Sequence, residues 1–175
     1  MDINEFVKDL ISDSKYFLDQ AKDSKKEIIK LRYIRAVITT IWSALEGWIN
    51  CVSSDFVLLP EEKLKLHEKA FLLEKKLLLT EKGEFKITNQ DQYNRIEDKI
   101  LYLLKRFGNY EVDKGSKLWN NFKTTKKLRD GLTHPKSELL ETKSLTIKNP
   151  EVAIDSVVEM LKLLTKKIYK KQLKI

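Results

Sequence analysis

The side chains with the clearest chemical potential lie together in residues 129–135, Arg-Asp-Gly-Leu-Thr-His-Pro. His134 is one of only two histidines in the chain, and an imidazole can accept or donate a proton near neutral pH. Arg129 carries a planar fork of N–H donors that matches a phosphate or a carboxylate. An arginine and a histidine five residues apart are therefore candidates for acid–base chemistry on a phosphate-containing substrate.

The helix that carries this segment is predicted to point Arg129 inward. At about 100° per residue, Arg129 falls within the apolar stripe of the helix, which is formed by Leu118, Phe122, Thr125, Leu128 and Leu132. An inward guanidinium needs an anionic partner. Glu46 is the candidate, because it is the only charged residue between Arg35 and Asp55. The ordinary alternatives are a Glu46 that faces solvent and an ion pair with a purely structural role.

Asp130 and His134 are four residues apart and share a helix face. The carboxylate could hold one imidazole nitrogen and thereby set the tautomer of the other. Pro135 disfavours the helical conformation for the residue before it, so the helix is predicted to end at Thr133 or His134. Such an end would free the imidazole to turn toward Arg129. We count Thr133 and Glu46 as supporting residues of the candidate site.

Basic side chains dominate the surroundings of this segment. Residues 114–136 contain seven basic residues and one acidic residue, Asp130. The candidates for contacting an RNA backbone are Lys123, Lys126, Lys127 and Lys136, although a solvated charged face is the ordinary explanation of such a run. The formal net charge of +8 for the whole chain also permits a polyanionic partner.

The rest of the chain predicts an all-α scaffold. With 175 residues, 42% of them hydrophobic, and only five Gly and three Pro, one domain over 1–175 is expected. Apolar periodicity and capping residues predict an up-and-down bundle of about five to six helices. The helices are predicted from Ile3 to about Ala21, from Ser24 to about Val52, from Pro60, from Asn89 to near Gly108, from Ser116, and from Asn149 and Pro150. A small β-hairpin is expected between 77–79 and 85–87.

Several classes of protein are not expected from the composition. The single cysteine, Cys51, precludes an internal disulfide and suits a reducing, cytoplasmic environment. We see no secretory leader. The longest apolar-leaning run, residues 36–52, is short for a membrane span and contains polar side chains, so no membrane association is predicted. We find no metal-ligand cluster and no glycine-rich phosphate loop, so neither a metal nor a cofactor is expected.

Two segments resemble a known family, the HEPN domains. Residues 119–136 are similar to the segment in which Arg, a polar residue, about three further residues and His close a helix, and residues 43–50 resemble the glutamate-bearing core helix. The resemblance implies a helical bundle, usually dimeric, with metal-independent ribonuclease activity at the dimer cleft in many members. It implies catalytic roles for Arg129 and His134, with Asp130 beside them. Asp130 stands where Asn is commonest, and Lys136 where some toxin members have Tyr.

Three functional hypotheses follow. The first is an endoribonuclease that acts as a homodimer, in a defence or toxin–antitoxin context, with a cognate antitoxin or regulatory protein as a further partner. The second is a non-catalytic module of the same fold that binds a nucleotide, RNA or a partner protein. The third is a plain helical subunit in which Arg129 and Glu46 form a structural ion pair. Loss of RNA cleavage on replacing His134 separates the first hypothesis from the others.

Overall fold

The structure, a computed structural model, describes residues 3–133 and 145–171. These residues form six helices and one two-stranded antiparallel sheet. In chain order the elements are α1 (Ile3–Asp23), α2 (Glu27–Val57), α3 (Leu66–Leu72), β1 (Lys75–Leu79), β2 (Phe85–Asp91), α4 (Ile96–Arg106), α5 (Lys117–Thr133) and α6 (Lys148–Tyr169). The predicted all-α bundle with a small hairpin is confirmed.

The helix α2 is the centre of the bundle and contacts each of the other five helices. It is antiparallel to α1, because Phe6 packs beside Gly47 whereas Phe17 stacks on Tyr33. A side chain at position 47 would bring its Cβ to 2.9 Å from the Phe6 ring, so glycine permits the close approach of the two helices. The eleven buried residues of α2 then form the middle of the core.

The hairpin was predicted at nearly its observed position. Leu77 pairs with Ile87 and Leu79 with Phe85, and the register shifts between Lys75 and Leu77. The turn between the strands places Gly83 at a φ of 77°, a conformation that side chains other than glycine rarely adopt. The strands extend the predicted segments at one end, to Lys75 and Asp91.

Two predicted helix starts were wrong because of local hydrogen bonding. Ser24 does not cap α2, since its hydroxyl donates to the Gln20 carbonyl at 2.7 Å and Lys26 precedes the helix. Pro60 begins only a turn, closed by Lys63 N donating to its carbonyl at 3.0 Å, and α3 starts at Leu66.

Two further helix starts were displaced, and one was placed correctly. Asn89 lies within β2 and not at the start of α4, which follows Arg95. Asn149 lies inside the first turn of α6, where its side-chain oxygen accepts from Thr146 N at 2.7 Å. Ser116 does cap α5, because its hydroxyl accepts from Trp119 N at 3.3 Å.

A buried lysine joins the hairpin to the bundle. Lys99 of α4 is only 3% exposed, and its ammonium group lies 3.0 Å from Glu74 Oε2 and 2.9 Å from Asn50 Oδ1. Glu74 precedes β1, and its other carboxylate oxygen accepts from Asn94 N at 3.0 Å. The carboxylate therefore neutralises a charge in the interior and fixes the entry to α4 at the same time.

A second buried carboxylate, Glu68, holds α3 against α4. It accepts hydrogen bonds from Arg106 Nε at 2.7 Å, from Tyr102 Oη at 2.8 Å and from Lys65 N at 2.8 Å. Burial alone would raise the pKa of Glu68, but these donors together outweigh it and lower the pKa to about 2. The ionised form is therefore the one that the folded state stabilises.

This lowered pKa gives a pH-dependent prediction. Replacing Glu68 by Gln should lower the free energy of unfolding at pH 7 by about 2–3 kcal/mol. The carboxylate's contribution is complete above the unfolded pKa of about 4.5 and is lost as the pH falls toward 2. Urea unfolding should thus show the two proteins converging between pH 4.5 and pH 2.5. The exposed Glu61→Gln is the control, and an equal effect of both changes would contradict the prediction.

Candidate functional site: a partly exposed arginine on α5

Arg129 is held from three sides near the described end of α5. Its Nη1 donates to Asp130 Oδ1 at 3.0 Å, and its Nη2 pairs with Glu46 Oε1. The guanidinium carbon lies 5.4 Å from the centre of the Trp42 ring, a cation–π distance. The side chain remains 23% exposed. The predictions that Arg129 turns inward and that Glu46 is its partner are both confirmed.

Trp42 provides a rigid support for the guanidinium. Its ring stacks nearly parallel on Phe122, with 5.6 Å between centroids and 12° between planes, and only 1% of the residue is exposed. The indole Nε1 is buried without a hydrogen-bond partner among the described residues. Trp42 was not predicted as a site residue, although its place four positions before Glu46 puts both residues on the same side of α2.

Asp130 binds basic side chains on its own helix. Its Oδ2 accepts from Lys126 Nζ at 2.7 Å, while Oδ1 binds Arg129. Burial alone would raise the pKa of Asp130, but the hydrogen bonds and charges of Lys126 and Arg129 lower it. Asp130 is therefore an ionised carboxylate at neutral pH, and it fixes one donor of Arg129.

The predicted bond between Asp130 and His134 lies outside the described residues, as do His134, Pro135 and Lys136 themselves. Thr133 is the last described residue of α5. Its hydroxyl donates to the Arg129 carbonyl at 3.1 Å, so it closes a helical turn with its own backbone and is exposed. This contact ties the turn that carries Arg129 to the residue directly before His134.

Two lysines predicted to contact RNA already bind carboxylates. Lys123 Nζ lies 2.8 Å and Lys126 Nζ 3.6 Å from Oε1 of Glu97, a buried residue of α4. Burial alone would raise the pKa of Glu97, but its bond to Lys123 and the charges of both lysines lower it. Lys127 is exposed and forms no ion pair with another described residue. Of the three described candidates, Lys127 alone presents its charge without an intramolecular partner in these ranges.

These contacts form one continuous chain of alternating charges, which we call the α5 charge network. It runs through Lys123, Glu97, Lys126, Asp130, Arg129 and Glu46. Three cations and three anions balance, and they join α4, α5 and α2. The network can orient Arg129 strongly while leaving a part of the guanidinium open to solvent, and an incoming phosphate would compete with the carboxylates for it.

The other chemically interesting side chains lie apart from this network. His67, on α3, is exposed. Cys51 lies half-buried on α2. Within 3–133 and 145–171, no three His, Cys, Asp or Glu side chains are grouped as a metal would require. No helix in the described part of the chain has the length and apolarity needed to cross a membrane.

Comparison of the chain with protein-family profiles, with curated proteins and with solved structures returned no match.

Glu97 belongs to the α5 charge network but was not predicted as a site residue. Its position seven residues before the apolar Leu104 was the available signal, because that spacing puts both residues on one face of α4.

Proposed function

We propose that the chain is a HEPN-type, metal-independent endoribonuclease that acts as a homodimer. The observation that carries this proposal is the placement of Arg129, whose partly exposed guanidinium is held by Trp42, Glu46 and Asp130, five residues before His134 in the sequence. A fixed cation with free N–H edges suits an anion that gains charge during a reaction. The arginine is thus prepared for a phosphate, and the neighbouring histidine supplies the proton transfer.

The proposed reaction is cleavage by the ribose 2′-hydroxyl. A base removes the 2′-OH proton, the oxygen bonds to the adjacent phosphorus, and the P–O5′ bond breaks. The 5′-oxygen leaves with a proton from an acid, which yields a 2′,3′-cyclic phosphate. His134 moves protons in this scheme. Arg129 binds the non-bridging phosphate oxygens and stabilises their developing charge, while Asp130 positions Arg129 through Nη1.

A two-fold dimer supplies the second proton-transfer group in this proposal. The reaction uses one base and one acid, and each chain contains one histidine besides the exposed His67 of α3. Two copies related by a two-fold axis would bring two His134 side chains to a shared cleft. The proposed setting is a cytoplasmic defence or toxin–antitoxin system with an antitoxin or regulatory protein as partner. Support for that setting is the resemblance of residues 119–136 alone.

A second candidate function, a non-catalytic module that binds RNA, a nucleotide or a protein, is favoured by a specific observation. Both terminal nitrogens of Arg129 already bind carboxylates, at Glu46 and Asp130. A binding module needs only the exposed edge of the guanidinium. A catalytic arginine has to release one carboxylate or to use that same edge for the reacting phosphate.

A metal-free RNA digest separates the two candidates. The purified chain is incubated with a structured RNA and a single-stranded RNA in excess EDTA, and the products are analysed for cyclic phosphate ends. The proposed endoribonuclease should release such ends from at least one substrate. RNA retention on a filter without any products would support the binding module and would contradict the nuclease.

A further inference from the structure

Two arginines of α2, Arg32 and Arg35, lie on a side of the helix that leads toward Arg129. We call the face of α2 from these arginines to Glu46 the strip. The chain contains five arginines, and three of them (Arg95, Arg106 and Arg129) form ion pairs with carboxylates. The remaining two, Arg32 and Arg35, have no acidic partner among residues 3–133 and 145–171. Arg32 is exposed and Arg35 half-buried. Within the described part of the chain, two guanidinium groups on one helix thus lack a carboxylate partner and could bind an external anion.

The geometry of α2 aligns these arginines with the site. Glu46, which binds Arg129, is eleven residues after Arg35, and this spacing corresponds to about 20° around the helix and roughly 16 Å along it. Arg32 lies about 60° from Arg35 on the same side. The strip therefore runs along a single face of α2 and ends at the Glu46–Arg129 pair.

Between the two ends of the strip, α2 itself contributes no acidic residue, and its fully exposed side chains there are small. No Asp or Glu occurs between Glu27 and Glu46. Thr39 and Ser43 are exposed there, and their hydroxyls bind the carbonyls of Arg35 and Thr39 on the preceding turn. The turns between Arg35 and Glu46 therefore present a low, uncharged surface, over which a chain of phosphates could pass without repulsion.

We propose that this face of α2, through Arg32 and Arg35, binds the backbone phosphates that flank the phosphate held by Arg129 in an RNA strand. The inference rests on the proposed function, because it takes the Arg129 site as the position of the reacting phosphate. At 3.4 Å per stacked nucleotide, 16 Å corresponds to roughly five nucleotides. The occupant is a polyanion with regularly spaced charges, and its contacts carry no base specificity.

The test compares RNA affinity and RNA cleavage in matched variants. One variant replaces Arg32 and Arg35 by Gln, which keeps most of the aliphatic volume. The control replaces Lys76 and Lys86, exposed residues of the hairpin, by Gln, so both proteins fall from a formal charge of +8 to +6. Fluorescence polarisation of a 12-nucleotide single-stranded RNA with methylated 2′-oxygens, which the proposed reaction cannot cleave, is measured at several salt concentrations. Thermal melts and light scattering verify folding and oligomeric state.

The proposal predicts that the arginine variant binds RNA roughly ten- to hundredfold more weakly at 50 mM salt. The slope of the logarithm of the binding constant against the logarithm of the salt concentration should be shallower by about one to one and a half. The hairpin control should bind as the parent does. Parental RNA binding by the arginine variant overturns the inference and leaves the nuclease proposal intact, whereas absence of both binding and cleavage in the parent overturns both. An equal loss of RNA binding in the hairpin control also overturns it.

Discussion

Arg129→Ala should reduce metal-free RNA cleavage by about two to three orders of magnitude, the usual consequence of removing a group that stabilises developing charge. Arg129→Lys should recover only part of the rate, because an ammonium group keeps the charge but loses the planar fork. The measurement is the initial rate of cyclic-phosphate release from one RNA in EDTA. Each variant is compared with the parent at equal protein concentration.

Arg95→Ala is the matched control for this experiment. Arg95 is an exposed arginine whose carboxylate partner is Asp98, three residues along the chain and far from the candidate site in sequence, so its loss should leave the rate unchanged. The fold of the Arg129 variants is checked by circular dichroism and by the melting temperature. A folded Arg129→Ala protein with the parental rate would remove Arg129 from the mechanism.

Glu74→Gln should cost about 3 kcal/mol of unfolding free energy, because it leaves the ammonium group of Lys99 buried without a carboxylate. The amide oxygen can still accept from Asn94 N, so the change isolates the charge from the backbone contact. Urea unfolding at pH 7 measures the difference. A change below about 0.5 kcal/mol, the size found for exposed pairs, would contradict this account of Lys99.

A double variant separates the loss of a pair from the burial of an orphaned charge. Adding Lys99→Met to Glu74→Gln removes the buried ammonium group and fills nearly the same volume. The double variant should recover most of the lost stability, because the cost of the single change comes mainly from the uncompensated buried charge, which is then absent. If the double variant were no more stable than Glu74→Gln, the Glu74 carboxylate would stabilise the fold mainly through its contacts at the start of the hairpin and not by neutralising Lys99.

Local patterns were sufficient for the helices but not for all of their ends. Apolar periodicity located α1, α2, α4, α5 and α6, and the turn chemistry around Gly83 located the hairpin. Asn89 was mistaken for a cap because the same side chain is compatible with an exposed strand, and the pairing of β2 with β1 decides its conformation. Competition of this kind between a cap and a strand depends on contacts that are distant in sequence.

The arginine of the site was predictable because its type conflicted with its position. A guanidinium within an apolar stripe, and a lone carboxylate within an apolar helix, each needed a partner, and they are paired in the structure. Trp42 and Glu97 were missed because an aromatic residue in a core helix is ordinary and because Glu97 lies 26 residues before Lys123. Only the packing of α4 and α2 against α5 brings those residues to the charge network.

The most direct test of the proposed function is the metal-free RNA cleavage rate of His134→Ala beside that of the parent. A general acid or base typically contributes about two to four orders of magnitude, so we expect at least a hundredfold lower rate for a folded, dimeric variant. His67→Ala, at the exposed histidine of α3, is the control and should retain the parental rate. A folded His134→Ala protein that cleaves RNA as fast as the parent would contradict the proposal.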